Sequence, residues 1–355
     1  MLWDLYLSKI TNRPAERIWG IRFSPDETRV AIGFGSSWQS DPSRRNIVVV
    51  AVDHPSVVLH DFELTSALSP DASGNSIAWS PSGRALVSAQ RPFMVRLDGE
   101  APCVFPEESK FGGFLSGDRM VIYTRSSRKP KETEIQVLMP DCSLADSWKV
   151  NGTARVLDSS PETDLVAIGT VREAPDHSVI ELVVSRTHEV KQRWAWELGS
   201  TFSGGFLFSD RGTLICSGIP RQGTPLPDVA CWDTQTGAKT AEDDRVGLDQ
   251  IGIESAGGDL LAITDYKYIS RPWKGLWELL DIATEYTVPK RRLIWDARTG
   301  KEIAEWEVLQ QKELLGKDLQ NTRTIKTNFV LSLSPTGKYI AEGGSGSVTV
   351  YAVQR

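Results

Sequence analysis

Phe23-Ser24-Pro25-Asp26, Trp79-Ser80-Pro81-Ser82-Gly83 and Leu333-Ser334-Pro335-Thr336-Gly337 carry one phrase three times: an aromatic or apolar residue, a Ser-Pro turn, then a short β-rich run. Weaker copies stand at Phe114-Leu115-Ser116-Gly117-Asp118, Ser159-Ser160-Pro161-Glu162, Phe208-Ser209-Asp210-Arg211-Gly212 and Ser255-Ala256-Gly257-Gly258. A strand–turn–strand unit this short cannot bury its own apolar face, so the fold must come from copies stacked radially or in line.

Working outward from each turn, the next residues are small and β-branched, as in Arg29-Val30-Ala31-Ile32-Gly33 and Asp164-Leu165-Val166-Ala167-Ile168-Gly169. Runs this short between turn signals read as buried strands. A third strand follows in every unit, for example at residues 46–52, 179–185 and 347–353, and several units add a fourth, as at 56–61, 192–198 and 302–308. The turns fall at 25, 81, 116, 161, 210, 256 and 335, with spacings of 56, 35, 45, 49, 46 and 79 residues. These scatter around the roughly 40–50 residues of one propeller blade, with loop insertions at the outliers. The fold expected is all-β: a seven-bladed β-propeller of four-stranded antiparallel blades, a single domain over residues 1–355.

Two strand ends, Cys231-Trp232-Asp233-Thr234-Gln235-Thr236-Gly237-Ala238-Lys239 and Ile294-Trp295-Asp296-Ala297-Arg298-Thr299-Gly300-Lys301, resemble the Trp-Asp ending and Thr-Gly-Lys turn of WD40 repeats. With the Ser-Pro-x-Gly turns, the resemblance covers essentially the whole chain. The Trp is expected to fill space between blades, the Asp to accept backbone N–H groups, and Thr-Gly to make the tight turn. The Gly-His dipeptide of the family is absent. Only His54, His60, His177 and His188 are present, so the Asp–His–Ser–Trp tetrad cannot recur in each blade. The blades are therefore expected to be held mainly by packing, which resembles the divergent WD40-like propellers, bacterial ones among them.

The chain finishes on a third strand with no fourth behind it. In a closed ring the leading segment, near Leu5–Ile10, is expected to supply the missing outer strand of the last blade. The 355 residues are 40% hydrophobic and 24% charged, and no apolar run approaches the ~18 residues a membrane-spanning helix needs. No secretory leader is legible at the N-terminus, so the chain reads as cytoplasmic. Cys103, Cys142, Cys216 and Cys231 are far apart without a CxxC pair, and read as buried free thiols. A net charge of −6 disfavours nucleic acid and anionic lipid as partners. The basic clusters at 125–131 and 290–292 read as solvated loop or strand-edge charge.

The largest irregularity is a hairpin of unit six that holds residues 265–291 where a few would do. It is crowded with apolar residues, among them Tyr266, Tyr268 and Tyr286. Trp273, Leu276, Trp277 and Leu280 follow i, i+3, i+4, i+7 spacing, so Pro272 is expected to open a helix with one apolar face. Either that helix lies back on the propeller and hides its own tryptophans, or it docks a partner. A second insertion, 309–329, flanks the same unit, so the two are expected to form one asymmetric cap.

Signatures of catalysis such as GxSxG, HExxH or a Walker loop are absent. The sequence reads as a non-enzymatic binding or scaffolding propeller, a monomer without cofactor, holding a protein or peptide. Trp273, Trp277 and Tyr268 are the expected contact residues, with Arg271 and Lys274 as their polar rim. The alternative is a lactonase-like propeller hydrolase in which acids around the central channel hold a divalent cation. A third reading makes the chain a regulatory domain of a longer protein.

Overall fold

The computed structural model describes residues 2–11, 17–35, 45–64, 77–88, 93–100, 103–106, 108–125, 132–171, 178–196, 206–218, 229–243, 250–270, 285–307, 330–344 and 346–353. They build seven antiparallel sheets of four strands, each following chain order from strand to neighbouring strand except the last. The first strands of the seven blades are Arg17–Phe23, Ile77–Trp79, Ser109–Phe114, Thr153–Ser160, Phe206–Ser209, Gln250–Gly257 and Val330–Leu333. They lie innermost and encircle a central channel.

The seventh blade closes the circle. Trp3–Tyr6 pairs antiparallel with Ser347–Ala352, in register from Trp3↔Val350 to Tyr6↔Ser347. The closing strand is thus Trp3–Tyr6 rather than 5–10, because Leu7–Thr11 turns into a short helix and buries Leu7 completely. Leu5 and Leu7 pack with Ile18, Ile21, Val348 and Val350, which seals blade seven against blade one.

The repeated phrase works through its serine. Ser24, Ser80 and Ser334 are fully buried, and each hydroxyl accepts the first N–H of the following strand, from Arg29 at 3.0 Å, Ala85 at 3.1 Å and Tyr339 at 3.0 Å. Gly83 and Gly337 take the left-handed conformation that the turn requires, with φ +70° and +72°. Apolar clusters form between blades as well as within them. Trp295 is buried among Leu214, Cys216 and Cys231 of the preceding blade, as its Trp-Asp position predicts. Asp233 accepts the N–H groups of Gln235 and Thr236, and Asp296 those of Arg298 and Thr299.

Four expectations change. Packing is not the sole tie between blades, because every seam also carries a polar bond. Glu27 accepts the Thr336 N–H at 2.7 Å, Arg29 donates to the Gly83 carbonyl at 3.0 Å, and Asp118 accepts the Ser82 N–H at 2.8 Å. Asp164 accepts the Ser116 N–H at 2.9 Å, Trp194 donates to the Gly237 carbonyl at 3.2 Å, Ser209 donates to the Gly258 carbonyl at 2.9 Å, and Gly258 donates to the Pro335 carbonyl at 2.6 Å. The cysteines are not free thiols: Cys103 is bonded to Cys142 and Cys216 to Cys231. Cys216 and Cys231 face each other across adjacent strands, whereas Cys103 and Cys142 belong to blades two and three. Nor are Arg291 and Arg292 merely solvated: Arg291 bonds Asp265 at 2.9 Å and Glu305 at 2.8 Å, and Arg292, 1% exposed, bonds Glu342 of the next blade.

The fourth change concerns residues 265–291. Much of this segment is strand rather than loop: Leu260–Ser270 and Glu285–Asp296 pair continuously to Ser270↔Glu285, with a bulge between Asp265 and Tyr266. Among the described residues, pairing with the first strand of the blade ends at Gln250↔Tyr266 and with the fourth at Arg291↔Glu307, and beyond those pairs the two central strands continue together as a ribbon.

Candidate functional site

The channel opens at the Ser-Pro turns into a cavity of about 450 Å³ lined by all seven blades. Pro25, Pro81, Pro161 and Pro335 of the turns form its lip, and Phe23, Trp79, Phe111, Phe114 and Phe208 its apolar wall. Trp79 is fixed from both sides, its indole N–H donating to the Arg22 carbonyl at 3.0 Å and its ring lying 4.9 Å beneath the Arg29 guanidinium. Gly112 and Gly113 leave room in blade three. A Cβ on Gly113, whose φ is +133°, would meet the Ser159 hydroxyl oxygen at 2.2 Å.

Among the described residues, three charged ones line this cavity: Arg22, Asp158 and Glu162. Asp158 follows a bulge between Val156 and Asp158, and bulges re-aim the side chains beside them. Its Oδ2 accepts the Phe208 N–H at 2.7 Å and its Oδ1 the Ser159 N–H at 2.9 Å. The side chain keeps some surface on the channel but is enclosed by protein on every other side. That burial outweighs the two hydrogen bonds and the attraction of Arg22, and pushes its pKa up to about 7. Arg22 belongs to blade one and bonds Ser332 of blade seven at 3.4 Å.

The residues expected from sequence to make contacts lie elsewhere. Tyr268 is in the ribbon of blade six, paired with Thr287, while Arg271, Trp273, Lys274 and Trp277 fall outside the described residues, as does the insertion 309–329. Asp158 was missed. Aligning the copies of the phrase on their prolines would have found it: the third residue before each proline is Arg22, Ala78, Asp158 and Ser332, of which the first three line the channel and the fourth bonds Arg22.

Among the described residues the divalent cation of the hydrolase reading finds no matching donor set. Among the described residues no three His, Cys, Asp or Glu side chains converge on one point, and Asp158 and Glu162 are the only carboxylates lining the mouth. Nor is any helix among the described residues long and apolar enough to cross a membrane.

No family model and no curated protein matches this chain. Solved structures do. Hydrazine synthase of Kuenenia stuttgartiensis is similar over 97% of each chain, with a TM-score of 0.56 at 14% identity. Sqt1 from Chaetomium thermophilum is similar over 96% of this chain and 97% of its own, with a TM-score of 0.52 at 15% identity. An oligogalacturonate lyase in complex with manganese aligns over 97% of this chain and 90% of its own, with a TM-score of 0.55 at 12% identity. At such identities the likeness is one of fold alone: the chain is a seven-bladed β-propeller.

Proposed function

We propose that this propeller is a non-enzymatic binding module that holds a segment of a protein partner on the blade-six ribbon. The reading rests on the ribbon's length. Its two strands have 11 and 12 residues, against four to seven for the second and third strands of the other blades. Five residues at ~3.4 Å each carry it about 17 Å beyond the blade, and residues 271–284 join its two strands. Those residues include Trp273 and Trp277 as anchors and Arg271 and Lys274 as their rim. Its root is held by Asp265, 1% exposed, whose carboxylate takes the Arg291 guanidinium. WD40 kinship, on the Trp-Asp and Ser-Pro phrases, agrees with such a role, as does monomeric assembly on a closed ring.

The test places a photo-crosslinking residue at position 275 in the native cell and identifies the product by mass spectrometry. The purified partner is then titrated against wild type and a Trp273→Ala/Trp277→Ala variant. At least ten-fold weaker binding with an unchanged melting temperature supports the reading. Unchanged affinity overturns it, and so does collapse of the fold, which would mean the tryptophans serve the ring.

A further inference from the structure

We propose that the channel mouth is a second binding site, for a small zwitterion of the amino-acid or short-peptide class, its ammonium on Asp158 and its carboxylate towards Arg22.

The argument is one of charge and room. A cavity near 450 Å³ is of the size that encloses a small organic ligand. Its wall is largely aromatic and prolyl, suited to an apolar side chain, yet two opposite charges stand in it on blades one and four. A purely cationic ligand meets Arg22, and a purely anionic one meets Asp158 and Glu162. A neutral apolar molecule would strip water from the Asp158 carboxylate and return nothing. A molecule with both charges matches both groups. Each Asp158 oxygen accepts one backbone N–H, and a carboxylate oxygen has a second acceptor position to offer an ammonium. The guanidinium of Arg22, which bonds Ser332 through Nη1, carries several N–H donors in one plane, a geometry that suits a carboxylate.

Geometry also favours a pre-formed site. Asp158 is held by the blade-five backbone and Arg22 by Ser332 of blade seven, so both charges are oriented by neighbouring blades and not by solvent. Such orientation lowers the ordering cost of binding. The site lies at the Ser-Pro turns and shares no residue with the ribbon, so it stands or falls apart from the partner-binding reading.

The experiment is saturation-transfer NMR on the full chain with pooled free amino acids and pooled dipeptides, followed by calorimetric titration of the hits. Each hit is compared with its deaminated and decarboxylated analogues. The proposal expects the zwitterion to bind at least ten-fold more tightly than either analogue. It also expects Asp158→Asn to abolish the preference over the deaminated analogue alone. It is overturned if no pool member binds, or if either analogue binds as well as the zwitterion. The analogue comparison needs only wild-type protein, so a misfolded variant leaves the test intact.

Discussion

The Trp3 indole N–H donates to the carbonyl of Val52 at 2.7 Å, so the strand that completes blade seven is also tied to blade one. One bond thereby spans the seam where the ring closes.

Trp3→Phe removes that partly buried bond and is expected to cost about 1 kcal/mol. Deleting residues 2–6 should do far more, since it leaves Ser347–Ala352 as an open edge and uncovers Val348 and Val350. Calorimetry and size-exclusion chromatography should show a lower, broader transition and self-association. A deletion that melts like wild type would show that the clasp contributes nothing.

Acid titration should reveal Asp158. Its folded pKa, about 7, lies above the ordinary 3.8, so its favourable contribution is complete below about pH 4 and is lost as pH rises through 7. Backbone bonds from Thr236 hold Asp233 below the ordinary range. Asp164 is held there too, against its burial, by bonds from Ser116 and by Arg119 and Arg186. Their contributions are lost as pH falls below about 4. Melting temperature should therefore be highest near pH 4 to 5, fall from there to about pH 7 and level off above it, and the fall from pH 5 to 7 should be smaller in Asp158→Ala.

Cys103 and Cys142 close a loop of 39 residues between two blades. Replacing both with serine should cost about 2–4 kcal/mol. Non-reducing peptide mapping should find both disulfides and no free thiol. That result would place the working protein in an oxidising compartment in spite of the cytoplasmic reading of its N-terminus.

Gly113→Ala and Gly117→Ala make an internal comparison. Both glycines have positive φ, but the space around Gly117 is open whereas Gly113 abuts Ser159. Gly117→Ala should cost about 1 kcal/mol for backbone conformation alone. Gly113→Ala should cost at least about 2 kcal/mol, because the seam between blades three and four must also part. Equal costs, measured by urea denaturation, would show that the contact with Ser159 is loose.

The blades were legible because the turns carry local chemistry of their own: Ser80-Pro81-Ser82-Gly83 and Ser334-Pro335-Thr336-Gly337 combine a buried serine, a proline and a glycine, and the other turns keep part of that set. What depended on contacts between blades was not. The Cys103–Cys142 bond requires knowing that the outer strand of blade two lies beside a turn of blade three. Asp158 reads as one acid in an ordinary strand until Phe208, 50 residues on, is brought against it. The closing strand was expected a few residues late, since Leu5 and Leu7 continue an apolar alternation that the helix at Leu7–Thr11 interrupts. In the unit-six insertion, helical spacing drew attention to Trp273 and Trp277, while the β-branched and aromatic residues on either side were extending strands.

The pairing of Trp3–Tyr6 with Ser347–Ala352 also sets an order of events during synthesis. Trp3–Tyr6, translated before every other described strand, finds its neighbour only after residues 347–352 have been made. Six sheets can form as the nascent chain emerges, but circularisation must wait. Until then an unmatched strand at one end and an uncovered sheet at the other stand exposed to chaperones and to neighbouring polysomal chains.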